Sequence, residues 1–529
     1  MSTGNGDTPK LCRRAGLAIG HLAAFIETYF TDEYGKSLRL SKGQRFVCNQ
    51  VETGTLGSTL LGTGTEMARG HGKSMIMKAS IILAFLRSHY LPERWGSRYA
   101  AILTNGTLYK QFSRDIGDIV TGIGAPLATG DNGQPILHTD FWLKPGYQYP
   151  ERKLKERQLW NVADKIIYVG TWDHPCRVSV RGMTNGRGDV RGLTQGNQRP
   201  DMLVIDDPMK ESEADNSETT ENVKGFVKKA FIPCGGPKAR LAFWGTPFND
   251  HDLITEVCGN ASAKPLETEW PSLARACLPA IHRVSKALLC PQIWSGERLE
   301  GRRLLIGSRA FAQEYLLDPS GGGVKYFEPG WIEKWLLPVP PQNAQKNRIQ
   351  RLMHCDPSLG RTSKSDCSAI TILDYDTLDK VFYVVLSDMQ RRRPQKLVAD
   401  YLDLWERYRP NRHAIEDEGA QELLIPIFAI EIKNRGLPIE ATPRLQSADG
   451  VNKVTRIKTL SQKVEFGKIR WSNTGSHRDL RTQATGWSGL ENEADDGLDS
   501  LEGCVRMADD ESLEEKLARI RARGAVARR

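Results

Sequence analysis

Three short, almost wholly apolar runs constrain the fold of this chain more than any other feature: 98–104 (RYAAILT), 201–207 (DMLVIDD) and 239–246 (ARLAFWGT). Runs of this length, apolar on both faces, read as strands buried inside a sheet. Helical patterns at 75–90 and 106–120 flank the first of them. Strands that alternate with helices predict an α/β fold with a mainly parallel sheet. A further helix is predicted over 17–30 (LAIGHLAAFIETYF), and 121–160, rich in turn-formers and charges, reads as an insertion or a mobile loop.

The pattern breaks at Pro319-Ser320-Gly321-Gly322-Gly323, a flexible joint, and again at the Pro-rich stretch 336–342 (LLPVPPQ). Beyond it, 349–356, 367–375 and 380–388 read as three strands with short connections, and Tyr375 to Asp379 as a hairpin turn. A helix over 395–408 and a strand over 411–416 follow. The expected organisation is a helical extension (1–40), a first α/β domain (41–318), a linker (319–345), a second α/β domain (346–510) and a basic tail (511–529). There are no internal repeats.

Composition excludes some classes. Lys and Arg exceed Asp and Glu, 73 to 64, a mild excess that tolerates a polyanionic partner without demanding one. The ten Cys form no C-x-x-C pair and no zinc-like spacing, so reduced thiols are expected. The N-terminus lacks an apolar signal core. The longest apolar run, Met75 to Leu86, is broken by Lys78 and Ser80 and is too short to span a bilayer. A soluble, intracellular protein with no membrane attachment is expected.

The stretch Glu66 to Ser74 (EMARGHGKS) ends like a phosphate-binding loop, G-x-x-x-x-G-K-[ST], with Met67 where the first Gly belongs. Gly70 and Gly72 allow close approach of backbone to phosphate. Lys73 would reach the β- and γ-phosphates, and Ser74 would bind Mg²⁺. A Gly-rich loop can carry Gly-Lys-Ser by chance, so the second half of the motif decides. The run 202–207 is an apolar strand ending in two carboxylates. Asp206 would hold the metal through water and Asp207 would polarise the attacking water. Thr246, at the end of a third strand, would sense the γ-phosphate.

With these residues the chain resembles the large terminase subunits of tailed bacteriophages. The likeness lies in the variant loop Ala68-Arg69-Gly70-His71-Gly72-Lys73-Ser74, where an Arg sits inside the loop, and in Trp244-Gly245-Thr246-Pro247. The resemblance implies that Arg191, in the Gly-Arg-rich stretch 181–192, is an arginine finger acting on a neighbouring subunit. It implies that Gln44 contacts adenine. Glu is commoner than Asp where Asp207 stands, and Glu211 is the fallback base.

Three acidic positions in separate C-terminal elements, Asp356, Glu416 and the group Asp495, Asp496 and Asp499, suit two Mg²⁺ or Mn²⁺ ions that activate water for phosphodiester hydrolysis. Spacing does not rank Asp495, Asp496 and Asp499: Asp496 is named as the third catalytic acid, Asp496 and Asp499 as metal ligands, and one of the three as a helix cap. Strand Asp, meander, strand Glu, late-helix Asp resembles the ribonuclease H-like nuclease domain of the same family. Lys453 and Arg456 would grip DNA phosphate.

The resemblance runs from about Gln44 to Arg506. It implies a genome-packaging subunit with an N-terminal P-loop (RecA/ASCE-like) ATPase and a C-terminal nuclease. The implied partners are double-stranded DNA, the portal of the procapsid, a small terminase subunit and further copies of the chain in a ring, a pentamer. The setting would be the cytoplasm of an infected bacterium. The basic tail would dock on portal or DNA, or be a solvated helix. The competing readings are a helicase–nuclease of repair or restriction, which would need a second RecA-like domain after residue 250, and a DNA-binding structural subunit with degenerate sites.

Overall fold

The structure, a computed structural model, describes residues 11–509 apart from 33, 58–61, 147–159, 171–174, 184–189, 191–192, 195–196, 215–216, 249–251, 259–272, 319–324, 338–347, 359–366, 417–420, 447–452 and 490–492. The Gly-rich joint at 319–323 and the basic tail therefore lie outside the described residues. The chain divides into two compact units, Met1–Gly323 and Val324–Arg529. No described helix is long and apolar enough to cross a membrane.

The first unit is built on one sheet. Its strands are β1 (Gly62–Met67), β2 (Tyr99–Asn105), β3 (Lys144–Pro145), β4 (Asp164–Tyr168), β5 (Pro175–Met183), β6 (Met202–Asp206), β7 (Arg240–Gly245) and β8 (Leu273–Leu278). They lie in the order β3-β4-β5-β2-β6-β7-β1-β8. Neighbours from β5 to β8 are all parallel, and β3 and β4 form an antiparallel edge. The three apolar runs are β2, β6 and β7, each shortened or shifted by about a residue.

β1 has no counterpart among the expected strands, because Gly-Thr-Gly-Thr-Glu-Met carries no apolar run. Packing explains its composition. A Cβ on Gly62 would lie 2.2 Å from the carbonyl oxygen of Leu241 on β7, and one on Gly64 would lie 2.9 Å from Val257 Cγ1. Only glycine lets β1 pair on both sides in this space.

Helix Lys73–Tyr90 follows β1 and buries Ile76, Ile81, Ile82, Leu83, Phe85 and Leu86. The expected helix over 17–30 is two helices, Arg13–Ile19 and Leu22–Tyr29, separated at Gly20 and His21, where His21 is extended. Both bury their apolar faces in the same core as helix Lys73–Tyr90. Within the expected insertion, helix Ile136–Phe141 and β3 are ordered against this unit, with Leu137 and Phe141 in its core.

The second unit also has one sheet, from β9 (Leu336–Leu337), β10 (Ile349–Asp356), β11 (Ser368–Asp376), β12 (Val381–Gln390), β13 (Arg412–Glu416), β14 (Arg444–Gln446) and β15 (Ile469–Ser476). The order is β14-β13-β10-β11-β12-β15-β9. β10, β11 and β12 form an antiparallel meander, while β13 runs parallel to β10 and β14 parallel to β13. This is the strand arrangement of a ribonuclease H-like sheet, extended past β12. Asp376 accepts from the N–H groups of Leu378 and Asp379 and so forms the β11–β12 turn expected there. Residues 329–337, within the stretch read as linker, form helix Pro329–Lys334 and the edge strand β9, paired with β15. Helix Asp496–Asp509 lies on β10 and β11 through Leu498, Leu501, Cys504 and Val505, and Ser500 Oγ donates to His354 O at 3.0 Å.

The tightness at β1 is testable. Gly62→Ala is expected to destabilise the first unit by about 1–3 kcal/mol, the usual size of core overpacking. A denaturant melt of the full chain that leaves the first transition in place would refute the packing account.

Candidate active sites

In the first unit the turn 68–72 joins β1 to helix Lys73–Tyr90. Gly70 (φ 74°) and Gly72 (φ 93°) are left-handed, a conformation glycine adopts without cost. The helix N-terminus and the loop amides together form a site for anionic oxygen. Met67, at the position of the missing glycine, is fully buried as the last residue of β1, so the loop proper starts after it.

Parallel pairing brings the ends of β1, β7 and β6 side by side. Lys73 Nζ lies 2.8 Å from both carboxylate oxygens of Asp207 and 3.5 Å from Thr246 Oγ1. Burial would lower the pKa of Lys73, but Asp207 and Asp206 outweigh it and hold the ammonium charged. Asp207 is itself fixed on several sides. Its N–H donates to Trp244 O (2.9 Å), its carbonyl accepts from Asn105 Nδ2 (3.0 Å), and its Oδ1 accepts from the N–H of Thr246 (3.1 Å). Its backbone is left-handed (φ 40°), which Asp tolerates better than most residues.

Asp206 is buried and its Oδ1 has no hydrogen-bond partner. Burial, with Asp207 adding to it, pushes its carboxyl up to about 7, against the pull of Lys73 and Lys78. An orphaned buried carboxylate oxygen beside a loop of this shape fits a hydrated Mg²⁺. A cavity of about 560 Å³ opens here, lined among others by Gly70, Gly72, Lys73, the exposed Ser74, Asn105, Asp207, Thr246 and Glu314. That volume suits a nucleotide.

The remaining residues expected at this site are placed differently. Gln44 is buried at the start of helix Lys42–Thr53 and braces the loop: its Nε2 donates to His71 O (2.8 Å) and its Oε1 accepts from the N–H of Ser41 (2.9 Å). His71 is buried, its Nδ1 2.9 Å from Arg69 O, and burial lowers its pKa. Arg69 points outward to Glu314 at 3.2 Å. Arg191 lies outside the described residues, as does the side chain of Glu211. Asn105 has no motif to mark it; its role follows from β2 lying next to β6.

In the second unit Asp356 ends β10 and Glu416 ends β13, its parallel neighbour, one rung past the pair Cys355–Ile415. Asp499 arrives from the first turn of helix Asp496–Asp509. One carboxylate oxygen from each of Asp356, Glu416 and Asp499 lies within 4.8 Å of the others. Three hard oxygen donors at this spacing suit Mg²⁺ or Mn²⁺. Burial raises the pKa of Asp356 well above the usual range; Lys453 opposes this, and Asp499, Glu416 and Asp496 add to it.

The expected third acid, Asp496, is the first residue of the helix and is buried, but the group that converges with Asp356 and Glu416 contains Asp499 instead. One helical turn separates the two. Asp495 precedes the helix, its carbonyl accepting from the N–H of Asp499 (2.9 Å).

Lys453 lies among the acids, 2.9 Å from Asp495, 3.1 Å from Asp499 and 3.8 Å from Asp356. Arg456, expected to face DNA, faces inward. It is 6% exposed, and its guanidinium reaches Glu502 (2.6 Å), Glu416 (3.3 Å) and Asp499 (3.4 Å). The reason is helical spacing: Lys453 and Arg456 are one turn apart on helix Lys453–Glu465, on the face that meets helix Asp496–Asp509. Arg506 adds a second guanidinium, 3.6 Å from Glu416.

No protein-family model matches the chain, and no curated protein matches it. Among solved structures it is similar to the large terminase of bacteriophage HK97, at 13% identity and a TM-score of 0.34, over 92% of this chain and 99% of that one. It is also similar to the ATPase domain of the Thermus phage P74-26 large terminase (15% identity, 53% of this chain and 99% of that one, TM-score 0.31). A third similarity is to the human cytomegalovirus terminase nuclease domain, Mn-soaked with an inhibitor bound (13%, 35% and 96%, TM-score 0.28). All three are distant.

A buried carboxylate whose charge is disfavoured leaves a signature. In metal-free buffer at pH 8, Asp356→Asn is expected to raise the melting temperature of the second unit by a few degrees, because the folded pKa of Asp356 is raised and its charge weakens the fold as pH climbs through that value. A lower melting temperature would show that Asp356 is stabilised by Lys453 more than it is penalised by burial.

Proposed function

We propose that this chain is a large terminase subunit, a genome-packaging ATPase that also cuts DNA. The observation that carries the reading is that one chain holds two separate sites of the required kinds, in the required order. The first is a phosphate loop with Lys73 facing the end of an Asp-Asp strand. The second is the trio Asp356, Glu416 and Asp499 on a ribonuclease H-like sheet.

In the first site ATP would lie with its phosphates over Gly70 to Ser74. Lys73 would pass from Asp207 to the β- and γ-phosphates, releasing the Asp207 carboxylate to orient the attacking water. Ser74 and Asp206 would hold Mg²⁺, whose role is to neutralise charge on the phosphates. Thr246 would report the state of the γ-phosphate, a reading supported by its N–H donating to Asp207 and its hydroxyl lying 3.5 Å from Lys73 Nζ. Arg191 would act in trans in an assembled ring, and Glu211 is the alternative base. The contact of Gln44 with adenine would use the amide hydrogen not given to His71.

In the second site Asp356, Glu416 and Asp499 would hold Mg²⁺ or Mn²⁺, which supplies an activated water and stabilises the leaving oxygen. Asp496 and Asp495 would act from just behind the trio. Lys453, the more exposed of the two expected phosphate-gripping residues, would turn to the DNA backbone. Arg456 would hold Glu416 and Asp499 in place. The partners under this reading would be double-stranded DNA, the procapsid portal, a small terminase subunit and further copies of the chain in a pentameric ring, in the cytoplasm of an infected bacterium.

The two sites should fail independently. Lys73→Ala is expected to abolish ATP turnover and leave Mn²⁺-dependent plasmid cleavage intact, while Asp356→Ala does the opposite. Plasmid cleavage by Asp356→Ala equal to the parent would remove the nuclease assignment. The pH dependence has a defined sign. A carboxyl raised to about 7 is protonated below that value, and the neutral group no longer attracts a cation. Binding of Mg²⁺–ATP should therefore weaken as pH falls from about 8 to 6, and Asp206→Asn should flatten that profile. A profile equally steep in Asp206→Asn would assign the titration to another group.

A further inference from the structure

The phosphate loop is clamped from outside the sheet by residues that no part of the function proposed above uses. The indole Nε1–H of Trp294 donates to Gly70 O at 3.0 Å. The same indole stacks on the His71 ring, with centroids 5.7 Å apart and an interplanar angle of 16°. Tyr315 meets both rings edge-on, 5.5 Å from Trp294 and 6.4 Å from His71, and Phe311 stacks on Tyr315 at 5.0 Å. The fit is close: a Cβ on Gly70 would lie 3.0 Å from Trp294 Cζ2. The glycine at position 70 is therefore required twice, by its left-handed backbone and by the indole lying against it.

The loop has further outside tethers: the N–H of Arg69 donates to Glu314 O at 3.0 Å, and Gln44 Nε2 donates to His71 O at 2.8 Å. Consecutive residues 69, 70 and 71 are thus each held by a side chain or backbone group from 294–315. Trp294 provides two of those contacts, one polar and one by stacking. Trp294 is half-buried, and its hydrogen bond to Gly70 O lies at the exposed side of the loop.

We propose that Trp294 is a positioning residue for the phosphate cradle. By fixing the Gly70 carbonyl and the His71 ring, it keeps carbonyl oxygens turned away from the phosphates and loop N–H groups turned towards them. The inference rests on the reading of the cradle as an ATP site. Without the clamp the loop samples orientations that bind phosphate poorly, and ATP must select the competent one. That loss falls on binding rather than on the chemical step, because Lys73, Asp206, Asp207 and Thr246 are held by β6, β7 and the helix and not by Trp294.

The test uses the full-length chain. Trp294→Phe keeps an aromatic ring on His71 and removes the N–H donor. The expected result is a rise of roughly three- to tenfold in KM for ATP, the size of one lost hydrogen bond, with kcat changed by less than about twofold. Tyr315→Leu removes the ring behind the indole and leaves the hydrogen bond; it is expected to raise KM in the same sense by a smaller factor. Should Trp294→Phe fold poorly in a thermal melt, Tyr315→Leu decides. Parent-like KM in whichever folded variant decides, with Lys73-dependent turnover intact in the parent, would overturn the role of Trp294 and leave the ATP site standing. A fall in kcat at constant KM would overturn it too. Absence of ATP binding and turnover in the parent itself would instead remove the ATP reading on which the inference depends.

Discussion

Parallel strand pairing is the constraint from which both sites follow. When neighbouring strands run the same way, their C-terminal ends lie on one edge, and residues just past those ends are brought together however far apart they are in the chain. In the first unit this sets Lys73, Asp207 and Thr246 on one edge, at the ends of β1, β6 and β7. In the second it sets Asp356 beside Glu416, at the ends of β10 and β13. The helices then complete each site: one begins at the loop and delivers Lys73 and Ser74, the other begins at the acids and delivers Asp499.

Each site also handles buried charge in its own way. In the first, one lysine faces two adjacent carboxylates, and the two acids are unequal. Asp207 is bound on several sides, whereas Asp206 keeps an oxygen without a donor and is pushed up to about 7. In the second, Lys453, Arg456 and Arg506 are interleaved with Asp356, Glu416, Asp495, Asp499 and Glu502. Removing one charge of such a network changes the field at every other member, so its positions are interdependent. That interdependence is why Arg456 belongs with the supports of the carboxylates rather than with the surface.

How much of this was legible beforehand depended on what kind of signal each residue carries. Strands β2, β6 and β7 announced themselves by apolar runs, and the meander β10 to β12 by its short connections and its turn. Strand β1 could not, because its glycines answer to the carbonyl of Leu241 and the side chain of Val257, which are distant in sequence. Asp356, Glu416, Lys73 and Asp206 stand at strand or helix ends and were visible for that reason. The choice between Asp496 and Asp499 was not, since it depends on the rotation of one helix against β10 and β11. Trp294 and Asn105 were invisible, being defined only by what they touch. The inward turn of Arg456 was equally hidden, because a basic residue on an amphipathic helix looks the same whichever way it faces.

The left-handed backbone at Asp207 has one further consequence. A side chain attached at φ 40° leaves the strand in an unusual direction, and short polar residues bear that conformation far more readily than long ones. Here the hand of the backbone selects the length of the acid. A glutamate at this position would gain reach but would lose conformational ease, and its carboxylate would overshoot the ammonium that Asp207 meets symmetrically. The aspartate at this position is thus matched to local geometry. The shorter arm is matched to a sharper bend, so reach and curvature at this strand end have to change together or not at all.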